Sequence, residues 1–317
     1  MRLSIKKQRV INILGLFISL SYGFFTYSWL LRLFSVDSGD IGSYVGFFED
    51  TDLYASFYTY TFLGDGLFRV SILFLMDFFN KSPMIILSSI AFITSTIIFY
   101  ISLMTVRSKP YLLLVSPIFL LIFFTPIVFT LFSSALRSGI AFTLLIIAFN
   151  TSSRFLRFLF FGLASLLHLS MIPIIALYFS FNFSRNSIIQ SSFFLSISFL
   201  IFLSFSAVTA AFLLKFNLSG ISQSIFYNLL VIYLGVIMTF INKKVLQNLY
   251  GFIAIGLIFI FMFGLIFDNF YLRFIGNSLV FYLLYLLQNG EKETIKIFTI
   301  AFLPFFLITW FYTLTNV

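Results

Sequence analysis

MIILSSIAFITSTIIFYISLMTV, residues 84–106, is an apolar run without a single charged side chain. A helix needs about 20 consecutive apolar residues to cross a hydrocarbon core about 30 Å thick. The run YGFIAIGLIFIFMFGLIF, residues 250–267, has the same character. Of the 317 residues in the chain, 61% are hydrophobic and 9% are charged, which is more apolar than a soluble core requires. The composition therefore predicts an all-α, polytopic membrane protein.

The hydropathy of the chain predicts about ten transmembrane helices. They are expected near residues 10–34, 84–106, 111–132, 134–150, 155–179, 189–214, 223–241, 245–267, 272–288 and 297–316. A further segment, residues 67–79, is too short to cross the membrane upright and is expected to be a tilted, re-entrant or interfacial helix. The sequence contains no internal repeat, so a single integral membrane domain over residues 1–317 is the prediction.

The distribution of charge carries information about topology. The first apolar run is too long for a signal peptide, so a retained first helix is predicted. Four basic residues precede this run, which predicts a cytoplasmic N-terminus. They are Arg2, Lys6, Lys7 and Arg9. The net charge of +9 comes from basic residues scattered among short loops, which argues against a nucleic-acid partner. The absence of cysteine excludes disulfides and thiol chemistry.

The acidic residues are concentrated in one loop, at about residues 35–66. Six of the ten lie between Arg32 and Arg69, in a stretch without lysine or arginine: Asp37, Asp40, Glu49, Asp50, Asp52 and Asp65. This loop follows the first helix and is expected on the extracytoplasmic side. It is also rich in tyrosine and phenylalanine, which admits two interpretations. The loop is either a solvated connector anchored in the interface, or a lid that faces a carbohydrate with aromatic rings and hydrogen-bond acceptors.

One arginine and the only histidine of the chain lie inside apolar runs on either side of a short polar turn. Arg137 is thirteen residues before Asn150, and His168 is fourteen residues after Arg154. At about 1.5 Å per helical residue, both lie roughly 20 Å from the turn, in the outer half of the membrane if the turn is cytoplasmic. A buried arginine costs at least about 2.5 to 3.5 kcal/mol on insertion scales, so a functional role is the first hypothesis. An ion pair between helices for Arg137, and a neutral imidazole bonded between helices for His168, are the structural alternatives.

Several short motifs resemble the Wzy-type polysaccharide polymerases, in particular their EpsG-like branch. ALRSGIA (135–141) is similar to the L-R-Q-x-I-A pattern of that family, and ASLLHLSMIPIIAL (164–177) to its A-x-x-x-H-x-S-A stretch. GDIGSYVGFF (39–48) resembles the G-x-D-x-x-x-Y segment after the first helix, and GDGLF (64–68) the E-P-x-F element. NFYLRFIGNSLVFY (269–282) resembles a late helix in which arginine precedes tyrosine. The chain departs from these patterns at Ser138, Met171 and Gly66.

The resemblance implies an enzyme with a GT-C-like glycosyltransferase architecture in the bacterial inner membrane. Such a polymerase transfers a growing glycan from polyprenyl (undecaprenyl) diphosphate to a hydroxyl of the next lipid-linked repeat unit, at the outer face of the membrane. The partners that the resemblance implies are the undecaprenyl diphosphate-linked oligosaccharide, membrane lipid and a chain-length regulator protein.

The leaving diphosphate needs fixed cations, and the planar guanidinium of arginine binds phosphate oxygens two at a time. Arg137 and Arg273 are therefore predicted to clamp the diphosphate. Burial beside arginines favours the neutral form of His168, which makes it the candidate general base, with Asp40 as the rival. This scheme requires neither a metal ion nor a cofactor.

Two further residues are candidates for sugar contacts, namely Tyr44 and Asp65. Other classes of function also remain open. A lipid-linked oligosaccharide flippase would equally need cations inside a helix bundle, although the paired broken helices typical of transporters are not found in the sequence. An oligosaccharide ligase would share the site and differ in its acceptor.

Overall fold

The computed structural model of this chain describes residues 5–33, 65–106, 112–133, 135–185, 233–238, 245–266, 272–289 and 292–315. These residues form helices joined by short turns, and none of them belongs to a strand, so the all-α class is confirmed for the described part. The helices are α1 (Ile5–Leu33), α2 (Asp65–Phe79), α3 (Pro83–Val106), α4 (Leu112–Phe123), α5 (Pro126–Ser133), α6 (Leu136–Asn150), α7 (Arg154–Leu167), α8 (Ile172–Arg185), α9 (Leu249–Ile266), α10 (Leu272–Asn289) and α11 (Lys292–Thr315). Short 3₁₀ turns at Leu169–Met171 and Val245–Gln247 precede α8 and α9, and residues 233–238 are also helical.

Most helices lie where the apolar runs predict them. α1, α2, α3, α6, α9, α10 and α11 correspond to the predicted segments at 10–34, 67–79, 84–106, 134–150, 245–267, 272–288 and 297–316. The segment predicted at 189–214 lies outside the described residues, and of the one at 223–241 only 233–238 is described. Two segments predicted as continuous helices, 111–132 and 155–179, are broken.

The first break separates α4 from α5. Residues 124 and 125 are not helical, and α5 begins at Pro126. Proline has no backbone N–H and disfavours helical geometry in the residue before it, so a helix ends more easily there than it continues. Proline is well suited to the first position of a new helix. The prediction of one helix over 111–132 is therefore wrong.

The second break separates α7 from α8, and it falls on the histidine. α7 ends at Leu167, His168 adopts an extended conformation with φ −154° and ψ 113°, and α8 begins at Ile172. A continuous helix would place the ring of Pro173 against the carbonyl of Leu169 and would lack the hydrogen bond between these residues. The prediction of one helix over 155–179 is therefore wrong, and His168 lies at a helix end.

Two helices among the described residues are long and apolar enough to cross a membrane, with spans at Pro83–Met104 and Glu293–Phe311. The pair α5 and α6, bent by 90° at its break, adds a third if it forms one broken span. The described part of the chain thus contains two or three candidate spans by length and composition, compared with the ten predicted from the whole sequence.

The chain divides into two compact units, and the prediction of one domain over 1–317 stays a prediction. The first unit comprises residues 1–108 and 129–171. In it α1 packs against α3: the Thr26 and Ser95 hydroxyls lie 2.7 Å apart, and the rings of Tyr22 and Phe99 stack with centroids 4.6 Å apart. The close approach of α1 to α3 requires a glycine at position 23, because a Cβ atom on Gly23 would lie 2.8 Å from the carbonyl oxygen of Phe92.

The second unit comprises residues 109–128 and 172–317. Its α9 and α10 pack side by side, and the Ser278 hydroxyl donates to the carbonyl of Ala254 at 2.8 Å. α11 packs against α4, where the indole Nε1 of Trp310 donates to the carbonyl of Phe124 at 2.9 Å. The Phe124 carbonyl lies at the break between α4 and α5. The hydrogen bond from Trp310 satisfies this carbonyl, because no water is present in a hydrocarbon core to do so.

Candidate functional site

The candidate site is built on a hairpin of two helices in the first unit. α6 and α7 pack along each other and are joined by the turn at 151–153. The Ser153 hydroxyl caps α7 by accepting the Leu156 N–H, and the Arg157 guanidinium donates to the Thr151 carbonyl at 2.6 Å. These bonds satisfy helix-terminal groups and hold the two helices antiparallel.

The hairpin brings Arg137 and His168 to the same end. Arg137 is the second residue of α6, and His168 follows the last residue of α7. Both helices are continuous between these residues and the turn, so each residue lies about 20 Å from it, as their spacing in the sequence predicts. Leu136 and Leu167, the residues immediately before them, both pack in one hydrophobic cluster.

This cluster, called here the α2–α3 cluster, ties the hairpin to two further helices. Its buried members are Phe68, Ile72, Leu73, Ile86, Leu87, Ala91 and Leu136, and the partly buried side chains packed on it are Leu75, Met76, Ile90, Ile140 and Leu167. Members from α2, α3, α6 and α7 are thus held together by burial of apolar surface. The cluster fixes where the open end of the hairpin lies relative to α2.

The surroundings of Arg137 are apolar on one side and favourable to anions. The residue is half-buried, its Nε atom lies below the surface, and its neighbours Leu136 and Ser138 are buried. It lies in the first turn of α6, which has no acidic residue and whose N-cap, Ala135, provides no side-chain hydrogen bond. The positive end of the helix dipole therefore adds to the guanidinium charge. The charge at the start of α6 is therefore of the sign that favours an oxyanion.

His168 is buried, with 8% of its surface exposed, and its ring orientation is fixed locally. Nδ1 accepts a hydrogen bond from the Ser170 N–H at 3.2 Å, and the Ser170 hydroxyl lies 2.6 Å from the same nitrogen. A backbone N–H is always a donor, so Nδ1 is the acceptor and the neutral ring carries its proton on Nε2. The second ring nitrogen, Nε2, is thus an N–H donor.

Arg69 of α2 is a further arginine next to a residue of the same cluster, and it is not among the site residues predicted from the sequence. It follows Phe68, a fully buried member of the α2–α3 cluster, and its own Nε atom lies below the surface. Arg69, Arg137 and His168 therefore each follow directly a residue of the same cluster. The signal in the sequence was a single arginine within the apolar segment 67–79, which is the same signal that selected Arg137.

The remaining predicted residues are not brought together by the described structure. Asp40 and Tyr44 lie outside the described residues, as does most of the acidic loop at 35–66. Asp65 begins α2 and Arg273 is the second residue of α10, but their side chains are not described. Arg273 belongs to the second unit, so its pairing with Arg137 stays a prediction.

Among the described residues, no group of three or more histidine, aspartate or glutamate side chains is placed to hold a metal ion. No protein-family model, no curated protein and no solved structure matches the chain. The resemblance to the Wzy-type polymerases therefore rests on the sequence motifs, and the site rests on its own geometry.

Proposed function

We propose that this protein is a polysaccharide polymerase of the Wzy type, which transfers a growing glycan from undecaprenyl diphosphate to a lipid-linked repeat unit. One observation carries the proposal. The motif ALRSGIA forms the start of α6, and the motif ASLLHLSM forms the end of α7 and the following turn. The two segments with the most specific resemblance thus meet at one end of one hairpin.

The chemistry of the transfer matches this pair of residues. The bond between the anomeric carbon and the diphosphate oxygen breaks, the acceptor hydroxyl oxygen bonds to that carbon, and its proton passes to a base. Negative charge grows on the leaving diphosphate, and preorganised donors stabilise such charge most effectively. The guanidinium of Arg137 is a cationic, bidentate hydrogen-bond donor, and the Nε2–H of His168 is a neutral hydrogen-bond donor.

The role of His168 follows from its tautomer. Because Nδ1 accepts from Ser170, the ring offers a proton at Nε2 and has no lone pair there. In this proposal His168 therefore donates to a phosphate or sugar oxygen, and Asp40 is the general base. Tyr44 and Asp65 are proposed to contact the sugar, and Arg273 to bind the diphosphate together with Arg137.

The proposed setting is the bacterial inner membrane, with about ten helices, a GT-C-like architecture, a cytoplasmic N-terminus and the site on the extracytoplasmic side. The outward face of α7 supports contact with lipid, since Phe155, Phe158, Leu159 and Leu163 are all exposed. A soluble surface rarely carries such a continuous apolar stripe. Membrane lipid, the undecaprenyl chain and a chain-length regulator protein are the proposed partners.

The test uses purified full-length protein in nanodiscs of phosphatidylethanolamine and phosphatidylglycerol, supplied only with undecaprenyl diphosphate-linked repeat units from polymerase-deficient cells. Lengthened glycans with release of undecaprenyl diphosphate are expected from the wild type and not from Arg137→Ala. Translocation of unchanged repeat units in liposomes, without lengthening, would instead identify a flippase. Transfer that occurs only after a lipid core acceptor is added would identify a ligase.

A further inference from the structure

We propose that Asn277 of α10 binds the first sugar of the lipid-linked substrate, next to the diphosphate that Arg273 is proposed to bind. The inference rests on the proposed function for the identity of the ligand, and on the second unit alone for its geometry. Both residues belong to α10 within that unit. Asn277 is thus a specificity residue for the sugar, distinct from the residues proposed to bind the diphosphate.

The side chain of Asn277 is a fully buried amide without a hydrogen-bond partner. Neither Nδ2 nor Oδ1 is bonded to any of the described residues, and both atoms lie below the surface. Burying an amide without hydrogen bonds is costly, and most buried polar side chains in proteins have a partner. A ligand with hydrogen-bonding groups would offset this cost.

The adjacent row of residues on α10 shows how structural polar groups are satisfied in this helix. Ser278 is as deeply buried as Asn277, and its hydroxyl donates to the Ala254 carbonyl at 2.8 Å. Tyr282, one turn later in the same row, donates to the Met238 carbonyl at 3.1 Å. The polar groups of that row therefore hold neighbouring backbone in place, whereas the amide of Asn277 has no such role in the described structure.

The row that contains Asn277 begins at the residue proposed to bind the diphosphate. Arg273 is the second residue of α10 and precedes Asn277 by four positions. Residues four apart in a helix lie on one face, about 6 Å apart along the axis. In a sugar diphosphate one oxygen atom separates the anomeric carbon from phosphorus, so the first sugar can reach Asn277 when the diphosphate is bound at Arg273. The Tyr285 hydroxyl, two turns further in this row, is also buried without a partner among the described residues.

The two atoms of the amide select the class of ligand. Oδ1 accepts hydrogen bonds and Nδ2 donates them, so the ligand must offer a donor and an acceptor side by side. The oxygens of an ionised diphosphate are acceptors and would satisfy Nδ2 alone. Neighbouring sugar hydroxyls, or an acetamido group on the ring, satisfy both atoms. The amide therefore fits the sugar better than the diphosphate.

The surroundings of Asn277 exclude bulk water. Residues 274–287 of α10 are all buried. A Cβ atom on Gly276 would lie 3.1 Å from the Ile127 carbonyl oxygen, so α10 meets the start of α5 here, directly after the break between α4 and α5. Helix ends are where chains commonly bend, and in this proposal the sugar enters at the break. Exclusion of water protects a bound sugar diphosphate from hydrolysis.

The experiment measures the binding of two lipids to the full-length protein in nanodiscs of neutral phosphatidylcholine. One is undecaprenyl diphosphate, and the other is the same lipid carrying the repeat unit, isolated from polymerase-deficient cells. Asn277→Leu should weaken binding of the repeat-unit lipid roughly 10-fold, as expected for loss of one or two neutral hydrogen bonds, and leave binding of undecaprenyl diphosphate unchanged. Arg273→Gln should weaken binding of both lipids, because its proposed contact is with the part that they share.

The stability of the ligand-free variants gives an independent readout. Asn277→Leu should raise the melting temperature by a few degrees, because an apolar side chain of similar volume replaces an unpaired amide. Ser278→Ala is the matched control: it should lower the melting temperature and leave both affinities as in the wild type, since its hydroxyl satisfies the Ala254 carbonyl. A lower melting temperature for Asn277→Leu, with unchanged affinities, would show that the amide is bonded within the protein and would overturn the inference.

Asn277→Ala keeps the inference testable if leucine does not fit, because it removes the amide without adding bulk. Failure of the inference and failure of the proposed function then give different results. Wild-type affinity for the repeat-unit lipid in a folded Asn277 variant, or equal weakening of both lipids, overturns the sugar contact whether or not the protein lengthens glycans. Selective loss of the repeat-unit lipid, without glycan lengthening by the wild type, retains the sugar site and removes the polymerase.

Discussion

At the scale of single residues, His168 is defined by the bond it makes two residues along the chain. The Ser170 N–H occupies Nδ1, so Nε2 carries the proton that the ring offers to a ligand. General base catalysis requires a lone pair on that nitrogen, whereas electrostatic stabilisation of the leaving group requires a donor there. The hydrogen bonds favour the second role, and the base role stays a prediction.

We expect His168→Gln to retain transfer within about tenfold of the wild type, because the glutamine amide can place an N–H near the position of Nε2. His168→Ala should lose about 10²-fold, as removal of one donor to a developing negative charge typically costs. Rates of glycan lengthening and their pH dependence are measured on both purified variants. A base role would show itself differently: both variants would lose roughly 10²- to 10⁴-fold, and one limb of the pH profile would disappear.

Arg137 provides the second prediction at this scale. Arg137→Lys should be nearly as inactive as Arg137→Ala, because a compact ammonium cannot reproduce two parallel hydrogen bonds to phosphate oxygens. The length of the glycan ladder in cells and the initial rate in nanodiscs measure this, with immunoblots to confirm equal protein levels. Substantial activity in the lysine variant would mean that Arg137 contributes its charge and that bidentate hydrogen bonding to the phosphate oxygens is not required.

At the scale of helices, the start of α6 depends on a glycine that lies two residues after Arg137. A Cβ atom at Gly139 would lie 2.6 Å from the backbone carbonyl oxygen of Leu131 in α5. Thr143 lies on the same face one turn later, is buried, and its hydroxyl donates to the Gly139 carbonyl at 2.8 Å, so this face of α6 is turned to the interior. The position of Arg137 therefore depends on how closely α5 and α6 approach.

Gly139→Ala should lower stability by about 1 to 3 kcal/mol, which is the usual range for overpacking. Gly162→Ala in α7 is the matched control, because a Cβ atom there meets no atom within 4 Å. Alanine at that exposed helix position should leave stability unchanged or raise it by up to about 1 kcal/mol. Thermal unfolding in detergent compares the two variants. Equal stabilities for the two variants would show that α5 can move away without cost.

The two helix breaks also belong to this scale. Both involve a proline in a run whose hydropathy is uninterrupted, at Pro126 and Pro173. Proline within a membrane helix is compatible with a kink as well as with an end, so the pattern of apolar residues could not distinguish a bent span from two helices. At Pro173 the break is accompanied by the bonds from Ser170 to His168, which stabilise the turn.

At the scale of the whole molecule, the absence of cysteine makes topology directly measurable. In single-cysteine variants of intact cells, Ser43→Cys in the acidic loop should react with a membrane-impermeant maleimide. Ser152→Cys in the exposed turn between α6 and α7 should react only with a permeant one, because the basic residues around that turn favour the cytoplasm. The unmodified wild type is the background control. Reaction of Ser152→Cys from outside would place Arg137 and His168 near the cytoplasmic face and contradict the proposed side of the site.

The sequence by itself determined the features that depend on local composition and spacing. Long apolar runs specify helices, so α1, α3, α9 and α11 were predictable. The common level of Arg137 and His168 followed from counting residues on both sides of one short turn, because the rise of a helix is constant.

The tertiary structure alone decided the features that depend on contacts between distant parts of the chain. Phe68 and Leu136 are 68 residues apart and belong to the same hydrophobic cluster, and no periodicity of the sequence encodes their packing together. The tautomer of His168 likewise depended on where the helix ended and which donor then reached Nδ1. Apolar burial is not directional, so the sequence specifies which faces are buried, and packing decides which of them meet.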